Sequence, residues 1–302
     1  MWNKLGLLIK ASNQYEFMYS HTAMPQALHL KNDLFRIYYG TRNKQNEPSI
    51  GFLEIDINCP NEVLYISDSP VLIKGQWGMF DDNGLYPGNI ITVGKNKLYM
   101  YYMGRSNGQG PLYYMSIGVS ESNDNGKTFT KKFKAPILGR SEFDPWMTTT
   151  PFVIREDKCW RMWYTSGFAW NMRKDNPKSY YHIKYAYSSD GINWNPTGKV
   201  CIELEKGESN IASPSVLWED CKYKMWYCYV QDFDNYKIGY AESINGIEWE
   251  RKDSEVGIEL SDHSFDNTCM AYPCVFKHKD RKYMIYSGNV LGKEGLGLAV
   301  YE

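Results

Sequence analysis

Three carboxylates stand apart from the residues around them and are the first candidates for chemistry: Asp82 in FDDNGLY (80–86), Asp144 in FDPWMTTT (143–150) and Glu208 in GESNIAS (207–213). Cleavage of an acetal needs two such groups. One is protonated and assists the leaving oxygen, and the other is ionised and activates water or attacks directly. Gathering them in one cavity raises one pKa through like-charge repulsion and loss of solvent. Glu208 is then the expected proton donor, with Asp82 and Asp144 as base or electrostatic partner. The reading requires two of the carboxyls to stand about 5 to 10 Å apart.

Other residue types in the same stretches suit a ligand. His21 lies in MYSHTAM (18–24), and Asp81 and Asp266 belong to a recurring Phe-Asp pair that also includes Phe143-Asp144. Repetition argues equally for scaffold, because a short carboxylate commonly caps its own turn through backbone N–H groups. Tyr86, Trp146 and Trp170 could stack on the apolar faces of sugar rings. Arg42 and Arg105 end the matching strings YYGTR and YYMGR. Guanidinium groups there could hold a carboxylate or phosphate, or simply form an ion pair.

The elements that must position these residues recur through the chain. Proline-led hairpins begin at Pro25, Pro87, Pro151, Pro214 and Pro273, at intervals of 59 to 64 residues. Each reads as a short apolar strand, a polar turn and a second strand rich in Tyr, Trp and Met, which is a β-hairpin pattern. A third strand and a glycine turn follow in SIGVSESNDNGKTF (116–129), IKYAYSSDGINW (183–194) and IGYAESINGIEW (238–249). The Asn-Gly and Asp-Gly pairs predict type I′ turns, with positive φ at both central positions. A fourth strand is expected after Phe129, Trp194 and Trp249.

Four antiparallel strands repeated five times predict an all-β fold, a five-bladed β-propeller in one domain spanning residues 1–302. The last repeat stops at its third strand, GLGLAVYE (295–302), so Trp2 with LGLLI is expected to supply the missing strand and close the ring. In such a fold the first strand of each blade lines the axis, and the residues just before each proline converge at one mouth.

Composition narrows the partners. A net charge of −1 and a pI near 6.5 do not suggest a nucleic-acid or anionic-membrane binder. No segment approaches the roughly 18 apolar residues of a membrane span. MWNKLGLLIK is too short in apolar residues for a signal peptide, so a cytoplasmic protein is expected. The seven cysteines form no CxxC pair and read as reduced thiols, mostly within strands. No HExxH, P-loop, GxSxG or dinucleotide-binding glycine motif is present. No cofactor is called for, although carboxylates and a histidine on an axis could hold a hard cation such as calcium through water.

The proline-led hairpins and the Ser-x-Asp-Gly-Ile-x-Trp turns resemble the five-bladed propeller glycoside hydrolase superfamily over nearly the whole chain. That superfamily includes arabinanases and xylosidases of family 43, invertases and levanases of family 32, and mannoside phosphorylases of family 130. The resemblance implies an axial sugar pocket and three acids from the inner strands of different blades. The pattern places an Asp immediately before the first-blade proline, another in a later blade, and a Glu two residues before a proline. Here those positions hold Met24, Thr150 and Ala212. Asp144-Pro145 and Glu208 lie six residues upstream of Pro151 and Pro214 respectively. Two readings follow. One is an enzyme acting on a glycosidic linkage or activated sugar, in polysaccharide biosynthesis or remodelling. The other is a non-catalytic propeller binding a glycan or sugar nucleotide. Oligomeric state is left open.

Overall fold

The computed structural model describes residues 1–157, 159–173, 176–231 and 235–302. Its regular secondary structure is almost entirely strand. The chain opens with β1 (Trp2–Ile9) and then runs through β2 (Ser20–Lys31), β3 (Leu34–Arg42), β4 (Pro48–Asp56) and β5 (Val63–Ile66), an antiparallel unit in that order. The second unit is β6 (Leu85–Gly94), β7 (Lys97–Asn107), β8 (Tyr113–Ser122) and β9 (Thr130–Lys131). The third is β10 (Met147–Arg155), β11 (Trp160–Arg173), β12 (Asn176–Ser188) and β13 (Trp194–Ile202). The fourth is β14 (Glu208–Glu219), β15 (Lys222–Gln231), β16 (Lys237–Ser243) and β17 (Glu250–Arg251). One parallel pair, Tyr181↔Asn210, joins the third and fourth units into a single eight-stranded sheet. The fifth unit is β18 (Ala271–His278), β19 (Arg281–Ser287) and β20 (Leu296–Tyr301), with β1 as its outer strand. The chain's first strand therefore pairs with its last, Trp2 opposite Tyr301.

Alternation along the strands buries one aromatic face of each unit against the next. The second strands carry the largest buried side chains, among them Tyr38 and Tyr39, Tyr101 and Tyr102, Trp163 and Tyr164. One member of each pair reaches into the following unit. Tyr38 donates to the Gly126 carbonyl at 2.7 Å, Tyr101 to that of Gly191 at 2.9 Å, and Trp163 to that of Gly246 at 2.7 Å. At the next seam Trp226 meets Trp2 edge to face, ring centroids 6.1 Å apart. The glycine turns thus join neighbouring units as well as connecting strands.

Their geometry differs from the expected type I′ pairs. Both residues have positive φ at Asn125-Gly126, but only the glycine does at Asp190-Gly191 and Asn245-Gly246. There the preceding side chain caps the loop: Asp190 Oδ1 accepts from the Ile192 and Asn193 N–H groups, and Asn245 Oδ1 from those of Ile247 and Glu248.

The inner strands are stitched by side chains. Asn89 bridges β6 to Val153 of β10 through both amide atoms, the Ser213 amide of β14 donates to Thr150 of β10, and Ser215 of β14 accepts from Val275 of β18. The Met24 amide of β2 donates to Ser287 of β19, and β18 packs beside β2. All seven cysteines are free. Cys201, Cys228, Cys269 and Cys274 are buried, whereas Cys59 and Cys221 are exposed in turns rather than within strands.

Candidate functional site

Each inner strand carries a bulge at its proline, at Ala23/Gln26, Pro87/Ile90, Thr149/Phe152, Ala212/Ser215 and Ala271/Cys274. The residue before the proline takes left-handed backbone in four of the five: Met24 (φ 54°), Thr150 (φ 37°), Ser213 (φ 57°) and Tyr272 (φ 56°). Non-glycine residues in this region are strained and hold their place only because the surroundings demand it. In the second unit Gly88 follows the proline, where a Cβ would stand 2.3 Å from the Tyr101 carbonyl oxygen. The bulges bring Met24, Gly88, Thr150, Ser213 and Tyr272 together, and with Pro87, Pro151, Pro214 and Pro273 they form a narrow neck.

Beyond the neck lies a chamber of about 310 Å³. Five tyrosines line it: Tyr86, Tyr113, Tyr181, Tyr236 and Tyr272. Tyr113 and Tyr181 share a hydroxyl hydrogen bond of 2.9 Å, and Trp170 backs Tyr113 edge-on at 5.2 Å. The rings of Tyr236 and Tyr272 lie 5.9 Å apart. Burial pushes the phenols of Tyr181, Tyr236 and Tyr272 well above the usual range, so all three remain protonated donors near neutral pH. Hydroxyls of Thr149, Thr150, Thr165 and Ser213 also line the wall, with apolar Met115, Met147 and Leu291. Two cations enter, Arg42 and Arg105, and no Asp or Glu does so among the described residues.

Of the residues singled out from sequence, Arg42, Tyr86 and Arg105 therefore meet in the chamber. Trp170 stands behind its wall. His21 is half-buried beside it with φ 64° and its Nδ1 at 3.0 Å from Ser20 Oγ. Burial, with Arg42 and Lys293 nearby, lowers the His21 imidazole to about 4, so it is neutral at pH 7. Trp146 is 39% exposed and does not line the chamber, whereas its neighbour Met147 does.

None of the proposed acids lines this chamber. Asp144 accepts from Tyr164 (2.9 Å), Ser166 (2.6 Å) and Lys184 (3.3 Å) and is fully buried. Asp81 accepts from Tyr102 and pairs with Lys131 at 2.5 Å. Asp266 accepts from Tyr286 at 2.9 Å and Lys4 at 2.7 Å. The same trio recurs in the fourth unit as Asp253, Tyr227 and Arg251. In the second, third and fifth units a second-strand tyrosine and a cation from a later strand hold the acid and so fix the approach to the first strand, whereas Asp253 of the fourth unit follows β17. Asp82 accepts from the Gly78 amide at 2.8 Å. Glu208 forms a bidentate pair with Arg251, both bonds 2.8 Å, and accepts from the Glu205 amide. Met24, Thr150 and Ala212, which occupy the superfamily's usual acid positions, do line the chamber. Among the described residues no three His, Cys, Asp or Glu side chains come together as a metal site.

The sequence reading did not pick out Tyr113, Tyr181, Tyr236 or Tyr272. Tyr272 was detectable, since it directly precedes a strand proline. The other three reach the wall from third-strand positions or loops that carry no repeated mark.

Comparison with solved structures identifies the fold class. A thermostable family-43 glycoside hydrolase superposes with TM-score 0.68 at 15% identity, covering 97% of this chain and 92% of that one. The catalytic domain of the Coprinopsis cinerea GH62 α-L-arabinofuranosidase gives 0.68 at 11% identity, covering 99% and 96%. The Bombyx mori GH32 β-fructofuranosidase BmSUC1 gives 0.60 at 14%, covering 93% and 61%. The chain thus has the fold shared by glycoside hydrolase families 43, 32 and 62, the superfamily its sequence resembles. No family model matches the sequence. The chain belongs to the same family as two uncharacterized proteins of Mycobacterium tuberculosis, MT1551 of strain CDC 1551 and Rv1502 of strain H37Rv. Each is 34% identical over 302 residues, covering all of this chain and 99% of its relative.

Proposed function

We propose that residues 1–302 form a single closed five-bladed propeller whose axial chamber binds a carbohydrate without hydrolysing it through an acid pair. One observation carries the reading: the inward-facing positions before the strand prolines hold Met24, Thr150, Ser213 and Tyr272, and no carboxylate lines the chamber among the described residues. Glycoside cleavage by the usual route needs two carboxyls flanking the bond. What the wall offers instead is aromatic faces for C–H-rich sugar surfaces and hydroxyl donors for sugar oxygens, a combination suited to binding and orienting a small polar ligand. The contacts from β18 back to β2, and of β1 with β20, support ring closure.

The test pairs two measurements on the intact chain. Calorimetric titration with neutral and acidic monosaccharides, their phosphates and sugar nucleotides is expected to give saturable binding. Incubation with a matching panel of aryl glycosides is expected to release no phenol above the buffer rate. Phenol release that disappears in a folded Glu208→Gln or Asp82→Asn variant would restore the hydrolase reading and overturn this one.

A further inference from the structure

The chamber holds two guanidinium groups with no counter-charge among the described residues. Arg42 ends β3 and Arg105 lies at the equivalent place in β7. Each leans over a tyrosine of the wall, Arg42 at 6.0 Å from the Tyr86 ring centre and Arg105 at 5.6 Å from that of Tyr113. Among the described residues the Nε atoms of both are buried and unpartnered, and the single side-chain hydrogen bond of the pair runs from Arg42 to Asn46 Oδ1 at 2.9 Å.

The other arginines withdrawn from solvent are treated differently. Arg36 pairs with Glu54, Arg161 with Glu156 and Arg251 with Glu208, while neither chamber arginine meets an acid among the described residues. A partly desolvated cation without a partner is costly, and stacking on an aromatic face offsets only part of that cost. Stacking also fixes the guanidinium plane, so its N–H edge is oriented for a planar or tetrahedral oxyanion.

We infer that the ligand is an acidic carbohydrate, a sugar bearing a carboxylate or a phosphate, with its anion held by Arg42 and Arg105 and its ring against the chamber tyrosines. This inference rests on the carbohydrate reading above and narrows it. The chamber, about 310 Å³, lies at the small end of ligand pockets and suits one substituted ring.

Matched sets titrated at low ionic strength test it: glucose, glucuronate and glucose 6-phosphate; galactose, galacturonate and galactose 1-phosphate; and acetate and inorganic phosphate as bare anions. The acidic members are expected to bind at least about tenfold more tightly than their neutral parents. Arg42→Gln and Arg105→Gln should each lower that preference about tenfold, weakening the acidic members more than their neutral parents. On the wild-type chain alone, 0.5 M salt should shrink the preference as well, so the test does not depend on the variants folding. Whether uronates or sugar phosphates bind better names the source of the charge. Equal affinity for neutral and acidic sugars would overturn the inference and leave the carbohydrate reading standing. Binding of no sugar at all would overturn both, and inorganic phosphate binding as tightly as the sugar phosphates would overturn the assignment to a sugar.

Discussion

Asp144 shows how an acid in a suggestive motif can be committed to structure. Tyr164, Ser166 and Lys184 all donate to it in a site closed to solvent, and Lys184 is itself buried. Removing the carboxylate in Asp144→Ala leaves Lys184 as an uncompensated buried charge, and the expected cost is about 3 to 5 kcal/mol, measured by chemical denaturation. Glu208 is tied to Arg251 in the same way, so Glu208→Gln is expected to lower stability and leave sugar affinity intact. The repetition of Phe-Asp was legible in sequence and pointed correctly to a shared job. Which job it was could not be read there, because the tyrosine and cation that hold each acid lie 20 to 262 residues away along the chain.

At the scale of the element, the hairpins follow directly from alternating apolar and aromatic residues around polar turns, and they were legible throughout. The exceptions are local. The two-residue turn between β14 and β15, Asp220-Cys221, has positive φ at both positions, 54° and 57°. Cys221 has no side-chain reason to be there and is exposed. Glycine removes the left-handed penalty, and Cys221→Gly is expected to stabilise the chain by about 0.5 to 1 kcal/mol in thermal or urea denaturation. The bulges at the prolines are the more consequential exception. Proline supplies no N–H to the ladder, so the strand must break register there, and the residue before it is turned toward the chamber.

Across the whole molecule, the seams between units combine aromatic packing with ion pairs. Glu219 of β14 binds Lys277 and Lys282 of the fifth unit, and Asp33 in the first hairpin binds His278 and Lys279 of the fifth. Burial alone would raise Glu219, but the lysines outweigh it and bring the carboxyl down to about 2, while Lys279 and His278 bring Asp33 to about 2. A folded pKa below the unfolded one means the contribution is complete above about pH 4.5 and is lost as pH falls toward 2. Unfolding followed from pH 5 to pH 2 should show this loss, and Glu219→Gln should flatten it.

The fifth unit depends on β1 for its outer strand. Trp2, Leu8 and Ile9 are buried there, and Lys4 neutralises Asp266. Deleting residues 1–9 is expected to lower the melting temperature by about 10 °C, with partial recovery when the nine-residue peptide is added.

The sequence by itself determined the repeating unit, the strand types and the pairing of the first strand with the last, because these rest on local periodicity and on counting strands between repeats. It also brought Arg42, Tyr86 and Arg105 forward as candidates, the two arginines with an ion pair as the alternative. Only the tertiary structure decided which side chains face the chamber. That outcome depends on bulges, on left-handed residues before the prolines, and on buried partners that draw Asp81, Asp144, Glu208 and Asp266 into the scaffold. A carboxylate in a motif is a chemical possibility, and the hydrogen bonds and cations that reach it from other strands determine whether it faces a ligand or holds the fold together.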